Sequence, residues 1–283
     1  MKRIKLIRVY ILWIGMYVLF MFCFDGGDIS VLLGPMAHKA AAQKGSRGRP
    51  RYAPPDDQHQ YQLADLLQRI GRAELEDRQL EMLRPDVDGR VSIFYSGHLD
   101  LLDSPAVSIV GTREVSEKGW TRAYQLARSL SAAGVTVVSG LAKGVDTAAL
   151  TGVVDNGGHA VAVIGTPLDK AYPAENADLQ QTIYAHHLLL SPFRNGAPVF
   201  KSNFPVRNRV MAAITDATVI IEASDTSGTL HQAAECVKLN RWLFIAKSVL
   251  DDKSLKWPAR FLDYEKTAAL TSVDDVLTRV GAR

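Results

Sequence analysis

The chain has 283 residues, 47% hydrophobic and 22% charged, an ordinary balance for a globular protein with room for a sizeable core in one large or two small domains. Its formal net charge of +3 is uneven: nine Lys/Arg and four Asp/Glu fall in residues 1–60, so residues 61–283 carry 24 cations against 26 anions, which excludes a globally basic nucleic-acid binder and leaves only a local patch. Two cysteines, Cys23 and Cys236, and seven histidines without ligand spacing suggest neither a disulfide framework nor a metal site, and fit a reducing compartment.

Met1 to Arg8 is basic, and Val9 to Phe24 is sixteen residues without a charge. That is short for a membrane span of about 20 residues, and it also suits the apolar region of a signal peptide. Three readings stay open: a stretch outside the natural protein because the true start lies downstream, a membrane anchor, and a secretion signal with Ala40-Ala41-Ala42 as its cleavage site. Lys44 to Asp57 is rich in Arg, Pro, Gly and Gln with little to bury, which predicts a disordered linker. Leu63, Leu66, Leu67, Ile70, Leu75, Leu80 and Leu83 follow at roughly helical spacing, broken at Gly71, and predict one or two helices before Pro85. The expected divisions are a leader and linker over 1–60, a helical extension over 61–90 and a main domain over 91–283.

Val91 to Tyr95 is strand-like, and from Ala106 the pattern becomes regular. Strands are predicted at 107–110, 135–138, 160–164, 217–221 and 242–246. Helices are predicted at about 117–133, 145–156, 210–215 and 228–239. Short apolar strands alternating with amphipathic helices mean parallel pairing with both faces covered, an α/β fold with a doubly wound, mostly parallel Rossmann-like sheet. Ligands in such sheets sit beyond the carboxyl ends of the strands.

Those ends carry a consistent set of groups. The first gives Gly111-Thr112-Arg113, with a guanidinium suited to phosphate. The second, Ser139 to Asp146, sets Gly140 and Gly144 around Lys143 ahead of a helix, in the manner of a phosphate cradle. The third runs from Gly165 through Tyr172 to Asn176, and the fifth offers Ser227-Gly228-Thr229 at a helix start. Between them, Lys201 to Arg209 packs Lys201, Arg207, Arg209 and Phe204 into nine residues. Cations that follow a backbone, interleaved with an aromatic ring, are what single-stranded nucleic acid requires. The dinucleotide fingerprint Gly-X-Gly-X-X-Gly is absent here, which counts against a nicotinamide enzyme.

Taken in order, Ser108 to Arg113, Ser139 to Asp146, Gly165 to Asn176, Asn203 to Arg209 and Glu222-Ala223 with Ser227 to Thr229 resemble the DNA-processing protein A family (DprA/Smf). The likeness covers about residues 91–248, with a weaker echo in Ser272 to Val280. It implies a cytoplasmic, homodimeric single-stranded-DNA-binding protein that is not an enzyme, has no cofactor or metal, and helps load a RecA-type recombinase during natural transformation. The match assigns DNA contacts to Arg113, Lys143, Lys201, Phe204, Arg207 and Arg209, with Arg113 and Lys201 on phosphate and Phe204 stacking a base. Gly111, Gly140, Gly144, Gly165, Ser227 and Gly228 would form the phosphate loops. The chain departs from the family pattern at Leu150, Pro167, His231-Gln232 and Ala246 to Ser248. Two alternatives on a related sheet are a nucleotide-binding sensor and a phosphoribohydrolase-like enzyme, although the latter needs a carboxylate where this chain has Gln232.

Overall fold

The computed structural model describes residues 52–73 and 90–281. The apolar stretch 9–24, the arginines at 47, 49 and 51, and Leu75, Leu80 and Leu83 lie outside the described residues. Among the described residues no helix is long and apolar enough to cross a membrane.

Nine strands form one sheet: β1 (His59–Gln62), β2 (Ser92–Gly97), β3 (Ala106–Val110), β4 (Thr136–Ser139), β5 (Ala160–Val163), β6 (Leu188–Ser191), β7 (Ala217–Ile220), β8 (Trp242–Ala246) and β9 (Thr267–Leu270). Their order is β1-β2-β6-β5-β4-β3-β7-β8-β9. The seven strands from β6 to β9 run parallel, and β2 and β1 close one edge as an antiparallel pair. The main helices are α1 (Leu63–Arg69), α2 (Glu117–Ala132), α3 (Val145–Val154), α4 (Ala177–His186), α5 (Asn203–Ala213), α6 (Thr229–Lys238), α7 (Lys247–Leu250) and α8 (Asp274–Val280).

The strands are apolar on both faces because helices cover both. Along β3 successive side chains point to opposite faces. Val107 and Ile109 therefore join the core under α2, α3 and α8, and Ala106 and Val110 join the core under α1, α5 and α6. The chain leaves β3 toward β4 on one side and reaches β7 on the other. The strand order thus reverses between β3 and β7, where open α/β sheets form a crevice.

Two features differ from the sequence expectations. The helix expected from Val210 begins at Asn203, so most of the basic-aromatic stretch is helical and not an extended approach to a helix. Part of the segment expected as a linker is anchored: the Tyr52 hydroxyl donates to Leu168 O (2.8 Å) and accepts from Gln180 Nε2 (2.8 Å), and Tyr184 donates to Ala53 O (2.9 Å). The strands β1, β6 and β9 and helices α4, α7 and α8 are additions to the predicted set. β1 lies where a helix was expected to begin, and its pairing with β2 decides its conformation.

Behind α1, Arg72 is buried at 2% exposure. It donates to Ala213 O (3.2 Å) and pairs with Asp216, whose other oxygen accepts the Ala106 N–H (2.8 Å). Removing one partner of a buried pair leaves the other desolvated, so Arg72→Met should lower the unfolding free energy by about 3 kcal/mol in a denaturant titration. Arg69→Ala removes an exposed pair with Asp103 and should cost under about 1 kcal/mol.

Candidate nucleic-acid interface

The carboxyl ends of β5, β4, β3 and β7 place the predicted loops side by side in one row. The loop after β3 is pinned from both flanks: Thr112 N–H donates to Glu222 O (2.7 Å), and Val145 N–H donates to Thr112 O (3.2 Å). The Glu222 carboxylate accepts from the Ser116 N–H (3.0 Å) and its hydroxyl, fastening the start of α2 to the end of β7. Asn176 ties the third loop to the second by donating to Leu141 O and Thr147 Oγ1, both at 2.9 Å.

The glycines of the second loop make room for protein, not for a ligand. A Cβ on Gly140 would overlap the Arg207 guanidinium, and one on Gly144, where φ is +79°, would run into the Thr112 and Arg113 backbone. The space beside each is occupied by the neighbouring loop and by an arginine. Gly111 faces Val145 and Glu222, and Gly165 lies against the Phe204 ring. Gly228 alone of the predicted loop glycines faces open space. Ser227 satisfies its own helix, accepting the Thr229 N–H (3.2 Å) and donating to Thr229 Oγ1 (2.9 Å).

Arg207 is buried at 6% exposure, with Nη1 donating to Val163 O (2.8 Å). Burial lowers its pKa below the ordinary guanidinium value, and the Asp146 charge opposes that shift. Burial pushes the Asp146 carboxyl up, while Arg207 and the N–H groups of Ala142 (3.4 Å) and Gly140 (3.1 Å) pull it down. Each charge thus opposes the burial that drives the other toward its neutral form. Arg207 organises the site from within and is not an exposed link in a cationic track.

Arg209 is also turned inward. Helical geometry places it away from the Phe204 face, and it pairs with Glu235 on α6 (3.2 Å), both side chains largely buried. Burial alone would raise the Glu235 carboxyl. Hydrogen bonds from Arg209 and Lys238 outweigh it and hold the group below its usual value. Arg209 therefore joins α5 to α6 instead of facing a ligand.

The remaining predicted groups gather around two adjoining hollows. A cleft of about 430 Å³ opens at the β3–β7 reversal, lined by Arg113, Asp146, Phe204, Arg207, Gly228 and Gln232 among others. A smaller hollow of about 60 Å³ is bounded by Arg113, Lys143, Gly165, Tyr172, Phe204 and Arg207. Arg113 is exposed, with its guanidinium carbon 5.8 Å from the centre of the Phe204 ring. Lys143 reaches Glu175 Oε1 (2.7 Å) in a pair about half exposed on both sides. Lys201 is exposed at the entry to α5 and lines neither hollow. Sequence reasoning missed Glu175 as the partner of Lys143, although its place three residues after Tyr172 put it on the same edge.

Two substitutions test this division of labour. Gly144→Ala forces a side chain into a left-handed backbone against the Arg113 loop and should cost at least about 2 kcal/mol of stability. Arg209→Ala leaves the largely buried Glu235 with only the exposed Lys238 as partner and should cost about 2 kcal/mol. The depressed Glu235 pKa contributes stability above the unfolded carboxylate value and loses it as pH falls through the folded value. The Arg209→Ala deficit should therefore shrink on acidification, read from unfolding midpoints across that range.

Comparison with known proteins places these features in a family. Residues 80–281 match the family model described as DNA recombination-mediator protein A. The DNA processing protein DprA of Streptococcus pneumoniae is 36% identical over 252 residues, covering 88% of this chain and 87% of that protein. The X-ray structure of DprA from the same species aligns with a TM-score of 0.62 at 36% identity, over 71% of this chain and 69% of the other. A structure of DNA processing protein A from Helicobacter pylori, described for its single-stranded DNA binding mode, aligns with a TM-score of 0.58 at 26% identity, over 65% of this chain and 84% of that one. The chain belongs to the DNA recombination-mediator protein A (DprA/Smf) family.

Proposed function

We propose that the chain binds single-stranded DNA along the carboxyl edge of its sheet, as a binding protein without a chemical step. The observation that carries this reading is the Arg113 guanidinium, exposed and set over an aromatic ring at the point where the strand order reverses. A cation beside a ring is the pairing that holds a phosphate and a base at once. The Helicobacter pylori relative, described for binding single-stranded DNA, supports the same assignment.

The cations that can meet phosphate are Arg113, Lys143 and Lys201. Three such contacts give a log–log salt slope near −2 for a single strand, so a tenfold rise in salt should lower affinity about 100-fold. Salt-independent binding would overturn the reading. Arg113→Ala should weaken oligo-dT binding by about tenfold or more, with a shallower slope, whereas Arg209→Ala should leave affinity unchanged once folding is allowed for. Glu175→Gln should tighten binding a few-fold. It frees Lys143 from a pair that, being exposed, is worth under about 1 kcal/mol.

The finer reading is that a homodimer in the cytoplasm hands the strand to a RecA-type recombinase during DNA uptake. The family's description as a recombination mediator supports it. Stimulated recombinase assembly on an oligonucleotide coated by a single-strand-binding protein is the result it predicts, and no stimulation at saturating chain would sink it.

A further inference from the structure

Building on the single-stranded DNA reading, we propose that His231 is a titrating phosphate contact in the cleft at the β3–β7 reversal, so that the strand is held more tightly as pH falls through the histidine range. His231 is one of the positions at which the chain departs from the family pattern, and the motif match therefore gives it no role. The structure sets it on the wall of the cleft. It is the third residue of α6, its N–H donates to Gly228 O (3.1 Å), and it is exposed. It lines the same cleft as Arg113, and Gly228 beside it faces open space.

The charges of that cleft nearly cancel. Two guanidiniums, Arg113 and Arg207, line its walls together with two carboxyl groups, Glu114 and Asp146. On α6 itself the next turn carries Glu235, which is taken up by Arg209 and Lys238. The fixed groups therefore offer a phosphate little net charge, and one added proton shifts the balance toward binding. Histidine is the side chain whose charge changes between about pH 5 and pH 8. Protonated, its ring brings two N–H donors and a positive charge to a phosphate; neutral, it brings one donor and no charge. The other described histidines, His59, His98, His159, His186 and His187, line neither hollow.

The test is the affinity of the full chain for oligo-dT across pH, with a probe whose bases do not change charge in that range. One further phosphate contact steepens the log–log salt slope by about 0.7 and, at about 0.1 M salt, tightens binding about fivefold. Wild type should show that gain on going from about pH 8 to about pH 5.5. His231→Gln should abolish the gain. His231→Lys, with a permanent charge, should hold the tighter binding and the steeper slope at both pH values. The unfolding midpoint of each variant, expected to stay near wild type for an exposed position, separates a lost contact from lost structure. Wild-type affinity that does not change with pH overturns the inference and leaves the single-strand reading standing. So does a pH dependence that persists in His231→Gln, which assigns the proton to another group such as Asp146, whose carboxyl burial pushes up. A wild-type chain that binds no oligonucleotide at either pH overturns both.

Discussion

A buried guanidinium governs the functional edge of this molecule. Arg207 enters from α5, lies flat where Gly140 lacks a side chain, bonds the last carbonyl of β5 and faces the carboxylate of Asp146. Asp146 in turn gathers the Gly140 and Ala142 N–H groups. One cation therefore joins the ends of β4 and β5 to the helix that carries Phe204. Burying it is costly unless it is matched by charge and hydrogen bonds; Asp146 supplies the charge and the Val163 carbonyl of β5 a hydrogen bond. The loop that resembles a phosphate cradle is thus filled from the protein side, and the surface it presents outward is set by what projects beyond it.

What projects beyond it sorts by exposure. Arg209 is paired with Glu235 inside the fold, and Arg207 is buried beside the Asp146 charge. Arg113, Lys143 and Lys201 remain outside, where an exposed ion pair such as Lys143–Glu175 is weak enough for a phosphate to replace its carboxylate. The same split explains how a domain with slight net negative charge can hold a polyanion: the useful cations are few, and they are gathered on one edge. Phe204 is half-buried and lines both hollows, and Tyr172 beside it is half exposed.

The doubly wound sheet was legible in the sequence because strands buried on both faces leave unbroken apolar runs, as in Val135 to Val138 and Ala160 to Ile164. β1 was not, because His59–Gln62 is polar and becomes a strand only through its pairing with Ser92–Tyr95. The start of α5 was hidden for a related reason. Asn203-Phe204-Pro205 reads as loop, yet proline is tolerated in a first helical turn, where its missing N–H has no intrahelical partner to lose. That one shift moved Arg207 and Arg209 inward, since residue type and spacing identify a cation but not the carboxylate that meets it from a distant part of the chain, as Glu235 does 26 residues after Arg209. Arg113 and Lys143, which sit on loops next to strand ends, were placed well by the sequence because the fold class alone dictates where such loops go.

Hydrogen–deuterium exchange of the full chain, with and without saturating oligo-dT, tests the central claim most directly. Protection on binding should concentrate in the loops after β3 and β4, around Tyr172 to Asn176 and at the entry to α5, with α8 and the β9 edge unchanged. Protection confined to the β8–β9 edge, or absent while the oligonucleotide is bound, would contradict the placement of the strand on the carboxyl edge.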